Sequence, residues 1–136
     1  MPEESLQSLQ SNIFNALAHP VRLEILEILR NGEACVCHIQ AMLDYRQSYI
    51  SQQLNVLRQA GLVENRKDGL RVYYQASNLL VYDLIDYARE FLFETGFWSA
   101  PFAEVQFPST SNTGCTCPRC TTGEAENIDL IEVKHD

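Results

Sequence analysis

The chain has 136 residues, 46% of them hydrophobic, and a formal net charge of −8. This length predicts one compact domain with appendages and a small core. The sequence contains no apolar run near the roughly 18 residues that a membrane span needs, and its polar, acidic N-terminus is unlike a secretory signal. We therefore expect a cytoplasmic protein with no membrane partner, whose five cysteines favour metal or redox chemistry over a disulfide framework.

Two helices are predicted in the first thirty residues. Hydrophobic side chains recur at helical spacing over residues 5–18 and give that segment one apolar face. A second and more apolar helix begins near Pro20, whose missing N–H suits a first turn, and it ends before Gly32. His19 is expected to cap this second helix or to pack against it.

A short helix and a longer one come next. The segment CVCHIQAML predicts a short helix with Ile39 facing inward. Asp44 and Gln47 then resemble a variant of the capping box, which predicts the start of another helix. The inward face of that longer helix is predicted at Ile50, Leu54 and Leu57.

The hydrophobic period changes after Gly61. The segment LVENRKDGLRVYYQ predicts two strands around Asp68-Gly69, a dipeptide typical of two-residue hairpin turns. Residues 79–93 return to helical spacing and are so apolar that they need a second partner surface, which a copy of the chain supplies in a homodimer. We predict a folded domain over residues 1–98 and a flexible, acidic, cysteine-containing tail over residues 99–136.

The order of these elements predicts a mainly α (α+β) winged helix-turn-helix, with the hairpin as the wing. In such folds the second helix of the turn motif enters the major groove, and basic wing residues suit phosphates. The predicted contacts of the reading helix with double-stranded DNA are Arg46, Gln47, Ser48, Tyr49, Ser51 and Gln52. Those of the wing are Arg66, Lys67 and Arg71. Residues 46–76 hold five basic and two acidic residues, so the acidic total hides a basic middle.

The segments LAHPVRLEILEILRNGEACVCHI and SYISQQLNVLRQAGLVENRKDGLRVYY resemble the ArsR/SmtB family of winged-helix metal-responsive repressors. The resemblance covers residues 8–95. It implies a homodimer joined by its terminal helices, which binds an operator of two similar half-sites and releases it when an inducer binds. The family often has Leu-Ser-Gln where this chain has Tyr45-Arg46-Gln47, a departure that bears on the operator sequence.

Cys35 and Cys37 are the first candidates for an inducer site, and the resemblance implies the same role. The dipole and free N–H groups at a helix N-terminus favour thiolates, which are soft ligands for As(III), Cd(II) or Pb(II). On a regular helix, residues i and i+2 point about 200° apart. We therefore expect the first turn to unwind when both sulfurs hold one ion, and the reading helix to shift.

The tail supplies the other candidates. Arsenic sensors resembling this site often have a third cysteine where this chain has Gln40. The remaining thiols are therefore expected to complete the site, from the same subunit or from its partner, and they are Cys115, Cys117 and Cys120. Three thiolates suit As(III) and four suit Cd(II) or Pb(II), with no organic cofactor. His38 is expected to cap a helix or to face solvent.

Several alternatives stay open at this point. A thiol redox or persulfide sensor on the same fold would use the same cysteines. Another alternative is that Cys35 and Cys37 are small buried apolar residues. Separately, the tail could form an independent zinc knot or be disordered with no ligand role. A winged helix that binds only proteins is a further alternative. An enzyme is not expected, because the sequence lacks a glycine-rich phosphate loop, a Ser-His-Asp spacing and a His-Glu zinc hydrolase motif.

Overall fold

The computed structural model describes residues 4–99. The helices in this part of the chain are α1 (Leu6–Leu17), α2 (Pro20–Leu29), α3 (Val36–Leu43), α4 (Gln47–Gln59) and α5 (Leu80–Glu94). The strands are β1 (Ala34–Cys35), β2 (Val63–Asp68) and β3 (Arg71–Ala76). Helices α3 and α4 form a helix-turn-helix that is followed by the β2–β3 wing, so the predicted winged helix-turn-helix fold is confirmed. The predicted tail lies outside the described residues except for Ser99, and its boundary stays a prediction.

The core lies where α2, α3 and α4 meet. Its fully enclosed side chains include Ile25, Leu26, Ile39, Ile50, Leu54 and Leu57. The last three occupy the predicted inward positions of α4, which confirms the helical spacing read from the sequence. Burial of a side chain of this size contributes about 1.5–3 kcal/mol relative to its exposed state, so these contacts hold the reading helix in place.

The wing belongs to a three-stranded antiparallel sheet in the order β1-β3-β2. Asp68 pairs with Arg71, so the two residues of the loop are Gly69 and Leu70, one position later than the predicted turn. Gly69 has a φ of 61°, which glycine adopts without steric cost. Strand β1 was not predicted from the sequence, and its pairing places Cys35 opposite Tyr73 of the wing.

The helix starts confirm one prediction and correct another. The Nδ1 atom of His19 accepts a hydrogen bond from the Val21 N–H over 3.3 Å, so His19 caps α2 as expected. The capping box predicted from Asp44 and Gln47 is wrong. Asp44 ends α3 in the left-handed conformation with a φ of 56°, and Arg46 is the residue that precedes α4.

Helices α1 and α5 expose much of their apolar surface. On these helices and in the turn after α5, the exposed large side chains include Leu6, Leu9, Phe14, Leu80, Leu84, Tyr87, Phe91, Leu92, Phe97 and Trp98. A groove of about 600 Å³ between α1, α2 and α5 is lined mainly by apolar groups of these helices. Within residues 4–99, every helix is too short or too polar to cross a membrane.

Polar contacts fix α5 against α2. The Tyr82 hydroxyl donates a hydrogen bond to the Leu26 carbonyl over 2.7 Å, and burial raises the pKa of this phenol above its usual range. Arg30 donates to both Glu27 and Asp86, and Arg89 pairs with the same two carboxylates. The exposed face of α5 is therefore held in a defined direction relative to the core.

Candidate DNA interface and thiol site

The structure gathers the predicted reading residues at the N-terminal half of α4. Gln47, Ser48 and Gln52 are exposed there, beside the exposed Arg46 that precedes the helix. The other two predicted residues, Tyr49 and Ser51, are half-buried. The Tyr49 ring packs against that of Tyr45 with 5.3 Å between the ring centroids. This arrangement presents amide and hydroxyl groups in the positions from which a reading helix contacts base edges.

A contact that the sequence did not predict ties α4 to the first two helices. The buried side chain of Gln53 accepts a hydrogen bond from the Arg22 Nε atom over 2.9 Å. The Nη1 atom of Arg22 also lies 3.4 Å from the carbonyl oxygens of Asn15 and Ala16, at the end of α1. Through Arg22, the orientation of α4 in the domain is thus linked to the orientation of α1. No periodicity in the sequence marks such a polar contact across 31 positions.

The three basic wing residues have different environments. Lys67 is exposed, as expected for a phosphate contact. Arg66 instead pairs with Glu33, with donor–acceptor distances of 2.5 and 3.1 Å, and its guanidinium lies 4.9 Å from the centroid of the Tyr73 ring. The hydrogen bond with Glu33 raises the pKa of Arg66. Arg71 is half-buried, and its Nη1 atom lies 3.9 Å from the Cys37 sulfur.

The sulfur atoms of Cys35 and Cys37 lie 2.8 Å apart. Cys35 belongs to β1 and has an extended backbone (φ −82°, ψ 162°), so only Cys37 lies on the helix. The expectation that these thiols point in nearly opposite directions is therefore wrong, and no unwinding is needed to bring them together. Cys35 is buried, with 3% exposure, whereas Cys37 is exposed to solvent.

This pair suits a soft cation as a partial ligand set. Two adjacent sulfurs supply soft donors to one point, and thiolates select thiophilic ions over hard ones. Within residues 4–99, no group of three His, Cys, Asp or Glu side chains is placed to hold a metal ion. A third donor would have to come from elsewhere, and the predicted tail ligands Cys115, Cys117 and Cys120 lie outside the described residues. His38 is 7% exposed, so the expectation that it faces solvent is wrong.

Comparison with known proteins identifies the family. The model for "Bacterial regulatory protein, arsR family" matches residues 19–65. An HTH-type transcriptional regulator of Mycobacterium tuberculosis, Rv0081, is 37% identical over 93 residues, which are 68% of this chain and 82% of that protein. The arsenical resistance operon repressor of Staphylococcus xylosus is 31% identical over 114 residues, 84% of this chain and 93% of the repressor.

Solved structures agree with these sequence relationships. The crystal structure of Rv0081 has a TM-score of 0.63 at 34% identity, over 70% of this chain and 96% of that chain. The solution structure of Mb0332 from Mycobacterium bovis is described as a homodimeric winged helix-turn-helix DNA-binding domain. It has a TM-score of 0.62 at 27% identity, over 74% of this chain and 99% of that chain. The relatives are transcriptional regulators, which confirms the expectation of a non-enzymatic protein. The chain belongs to the ArsR family of bacterial regulatory proteins, as its residues at the turn motif and the wing first indicated.

Proposed function

We propose that this protein is a homodimeric cytoplasmic repressor that binds operator DNA and releases it when its cysteine thiolates bind a soft metal or metalloid ion. The observation that carries the proposal is the pair of sulfurs 2.8 Å apart at the start of α3. This pair lies at the junction of the helix-turn-helix and the wing, because Cys35 is in the wing sheet and Cys37 is in the first turn of the motif.

The exposed helices support the dimer. Two helices at opposite ends of the domain sequence, α1 and α5, leave large apolar side chains in water, among them Phe14 and Phe91. An exposed apolar surface of this kind marks an interaction site in a soluble protein. A second copy of the chain covers the same surface on both subunits and places two reading helices on one side, as an operator with two half-sites requires. The homodimeric relative from Mycobacterium bovis supports this arrangement.

The geometry of the thiol pair explains how ligand binding would reach the DNA interface. Cys35 is fixed to the wing by pairing of β1 with β3, whereas Cys37 moves with α3, and α3 is joined to α4 by a short turn. A change in the separation or direction of the two sulfurs therefore moves the wing and the reading helix relative to each other. Full switching between 1% and 99% of the DNA-incompetent state requires about 5.5 kcal/mol of differential binding.

The ion is proposed from the donor set. Cys35 and Cys37 provide two soft ligands, and one or two of Cys115, Cys117 and Cys120 would provide the rest. Three thiolates suit As(III), and a fourth suits Cd(II) or Pb(II). The arsenical resistance operon repressor of Staphylococcus xylosus, which aligns with 84% of this chain, supports a metalloid inducer.

The decisive experiment measures operator binding by fluorescence anisotropy while As(III), Cd(II) or Pb(II) is added to the anaerobic, reduced protein. We expect at least one ion to release the wild-type protein and none to release the Cys35→Ser/Cys37→Ser variant. The matched control is Cys115→Ser/Cys117→Ser/Cys120→Ser, which we expect to bind the operator normally and to need more ion for release. Normal release of the Cys35→Ser/Cys37→Ser variant would falsify the proposal.

A redox sensor is the second candidate, because the Cys35 and Cys37 sulfurs lie 2.8 Å apart, near the roughly 2.05 Å length of an S–S bond. Here two-electron oxidation by a peroxide or persulfide would join the sulfurs and release DNA. Absorption during the anaerobic ion titration separates the two mechanisms. Thiolate-to-metal charge-transfer bands at a fixed stoichiometry support the metal sensor, whereas release by oxidant alone, without such bands, supports the redox sensor.

A further inference from the structure

The segment that carries the two thiols is attached to the wing at three points. Strand β1 pairs with β3, which places Cys35 opposite Tyr73. Arg71 of the wing lies against the Cys37 sulfur. Glu33, two residues before Cys35, holds Arg66 of the facing strand β2 through two hydrogen bonds. The third attachment is a charge-assisted contact between side chains, in which the Arg66 guanidinium is held at two nitrogens.

Arg66 is also held from its other side. Its guanidinium packs over the ring of Tyr73, 4.9 Å from the centroid, and Tyr73 is itself buried. The Glu33 carboxylate that binds it is only 13% exposed. The carboxylate and the aromatic ring together fix the direction of the Arg66 guanidinium, although its side chain is 49% exposed. Arg66 and the neighbouring Lys67 are both exposed, but Arg66 is held by the Glu33 carboxylate and the Tyr73 ring.

We propose that the Glu33–Arg66 ion pair is the positioning contact through which the thiol site controls the wing, and that Arg66 acts by this contact instead of binding a DNA phosphate. This inference rests on the proposed function and names its route of regulation. Glu33 is only two residues from the buried sulfur, so a movement of Cys35 displaces the carboxylate, and the ion pair carries that displacement across the sheet to β2.

The first test uses the release ratio, defined as the operator dissociation constant with ion divided by that without ion. The ion is As(III), Cd(II) or Pb(II), chosen as the one that gives the largest release ratio for the wild-type protein. We expect this wild-type release ratio to be about 5–150. We expect Glu33→Arg and Arg66→Glu each to reduce the ratio to about 2 or less. The double variant Glu33→Arg/Arg66→Glu restores the ion pair with its charges exchanged. Its release ratio should therefore recover to most of the wild-type value.

This charge exchange separates the proposal from a phosphate contact. A glutamate at position 66 would repel a DNA phosphate whichever residue occupies position 33. If Arg66 bound a phosphate, the double variant would therefore not recover the properties of the wild-type protein. Lys67→Glu is the matched control, because it places the same charge on the adjacent wing residue and leaves Glu33 untouched. We expect it to weaken operator binding but to keep the release ratio. Circular dichroism and thermal melting verify folding, and Glu33→Gln and Arg66→Gln replace any single variant that fails to fold.

The second test needs no ion. If the ion pair links the wing to the thiol segment, bound operator DNA shifts the population of that segment's conformations and should change the accessibility of the Cys37 sulfur. The alkylation rate of Cys37 by iodoacetamide is measured by peptide mass spectrometry with and without saturating operator DNA. We expect DNA to change this rate at least 3-fold in the wild type, and to change it less than 1.5-fold in Arg66→Glu under conditions that keep it bound.

Two results would overturn the proposal. One is a release ratio that stays low in the folded double variant. The other is an effect of DNA on Cys37 alkylation that is absent in the wild type or equally large in Arg66→Glu, since direct shielding by DNA would not depend on the ion pair. A wild-type protein that no ion releases would reject the proposed metal sensing instead, and the alkylation rates would still decide whether the ion pair couples the two sites.

Discussion

Arg30 donates hydrogen bonds to both carboxylate oxygens of Asp86, over 2.8 Å to Oδ1 and 3.0 Å to Oδ2. This pair joins α2 of the core to α5, whose outer face carries the apolar side chains proposed for the dimer. The bonds from Arg30 lower the pKa of Asp86 below its ordinary value of 3.8. The contact that directs the dimer helix is therefore sensitive to acid.

The first prediction concerns this pH dependence. Because the pKa of Asp86 is lower in the folded state, its contribution to stability is fully present above the unfolded value near 3.8 and is lost as the pH falls through the folded pKa. The Asp86 side chain is 47% exposed, so we expect a contribution of about 1 kcal/mol or less. Urea unfolding between pH 3 and 7 should show a smaller acid-dependent loss in Asp86→Asn than in the wild type. An equal dependence of the unfolding free energy on pH in the two proteins would contradict this role of Asp86.

The second prediction concerns the dimer. Phe91 of α5 is 64% exposed, and a charge at this position would have to be buried in the proposed dimer. We expect Phe91→Arg to shift the protein to monomers at micromolar concentration and to weaken operator binding by about tenfold or more. Sedimentation equilibrium measures the first effect and anisotropy the second. Glu90→Arg on the same helix is the control, and an unchanged dimer in Phe91→Arg would remove α5 from the interface.

The third prediction separates base contacts from phosphate contacts. Gln47 is exposed in the first turn of α4, and we expect Gln47→Ala to cost about 1–3 kcal/mol per half-site and to relax the preference at one base pair. Lys67→Ala should weaken binding to all DNA sequences alike. It should also reduce the slope of log affinity against log salt concentration by about 1 per half-site. Titrations of the operator and of single-base variants at several salt concentrations test both statements. The opposite pattern, with Lys67→Ala changing the base preference and Gln47→Ala changing the salt dependence, would assign the base contact to Lys67 and the phosphate contact to Gln47.

The fourth prediction concerns the turn between α3 and α4. Asp44 has a positive φ of 56°, which asparagine and aspartate tolerate better than alanine does. We expect Asp44→Ala to lower the free energy of unfolding by about 1 kcal/mol and Asp44→Gly to leave it within about 0.5 kcal/mol. Urea denaturation measures both changes. Equal destabilisation by the two substitutions would contradict a role for the backbone conformation of Asp44.

The sequence predicted those features that depend on local periodicity. The spacing of Ile50, Leu54 and Leu57 correctly placed the buried face of α4, and Asp68-Gly69 correctly indicated a hairpin. These signals are local, because a helix or a hairpin is determined by residues that lie a few positions apart.

The remaining features depend on residues far apart in the chain. Strand β1 has only two residues and exists because Cys35 pairs with Tyr73, 38 positions later, so it has no periodicity of its own to detect. The prediction of opposed thiols failed for this reason, since it assumed that Cys35 lay on the helix. The Glu33–Arg66 and Arg22–Gln53 contacts likewise span more than 30 positions.

The unequal burial of the two thiols determines the order in which they react. A solute arriving from bulk water meets the sulfur of Cys37 first, since that of Cys35 is enclosed between the sheet and α3. We expect Cys35 to bind the solute second, by transfer over the 2.8 Å between the two sulfurs. In the proposed sensor we therefore expect stepwise capture, with a second-order phase whose rate depends on solute concentration and then a first-order phase whose rate does not.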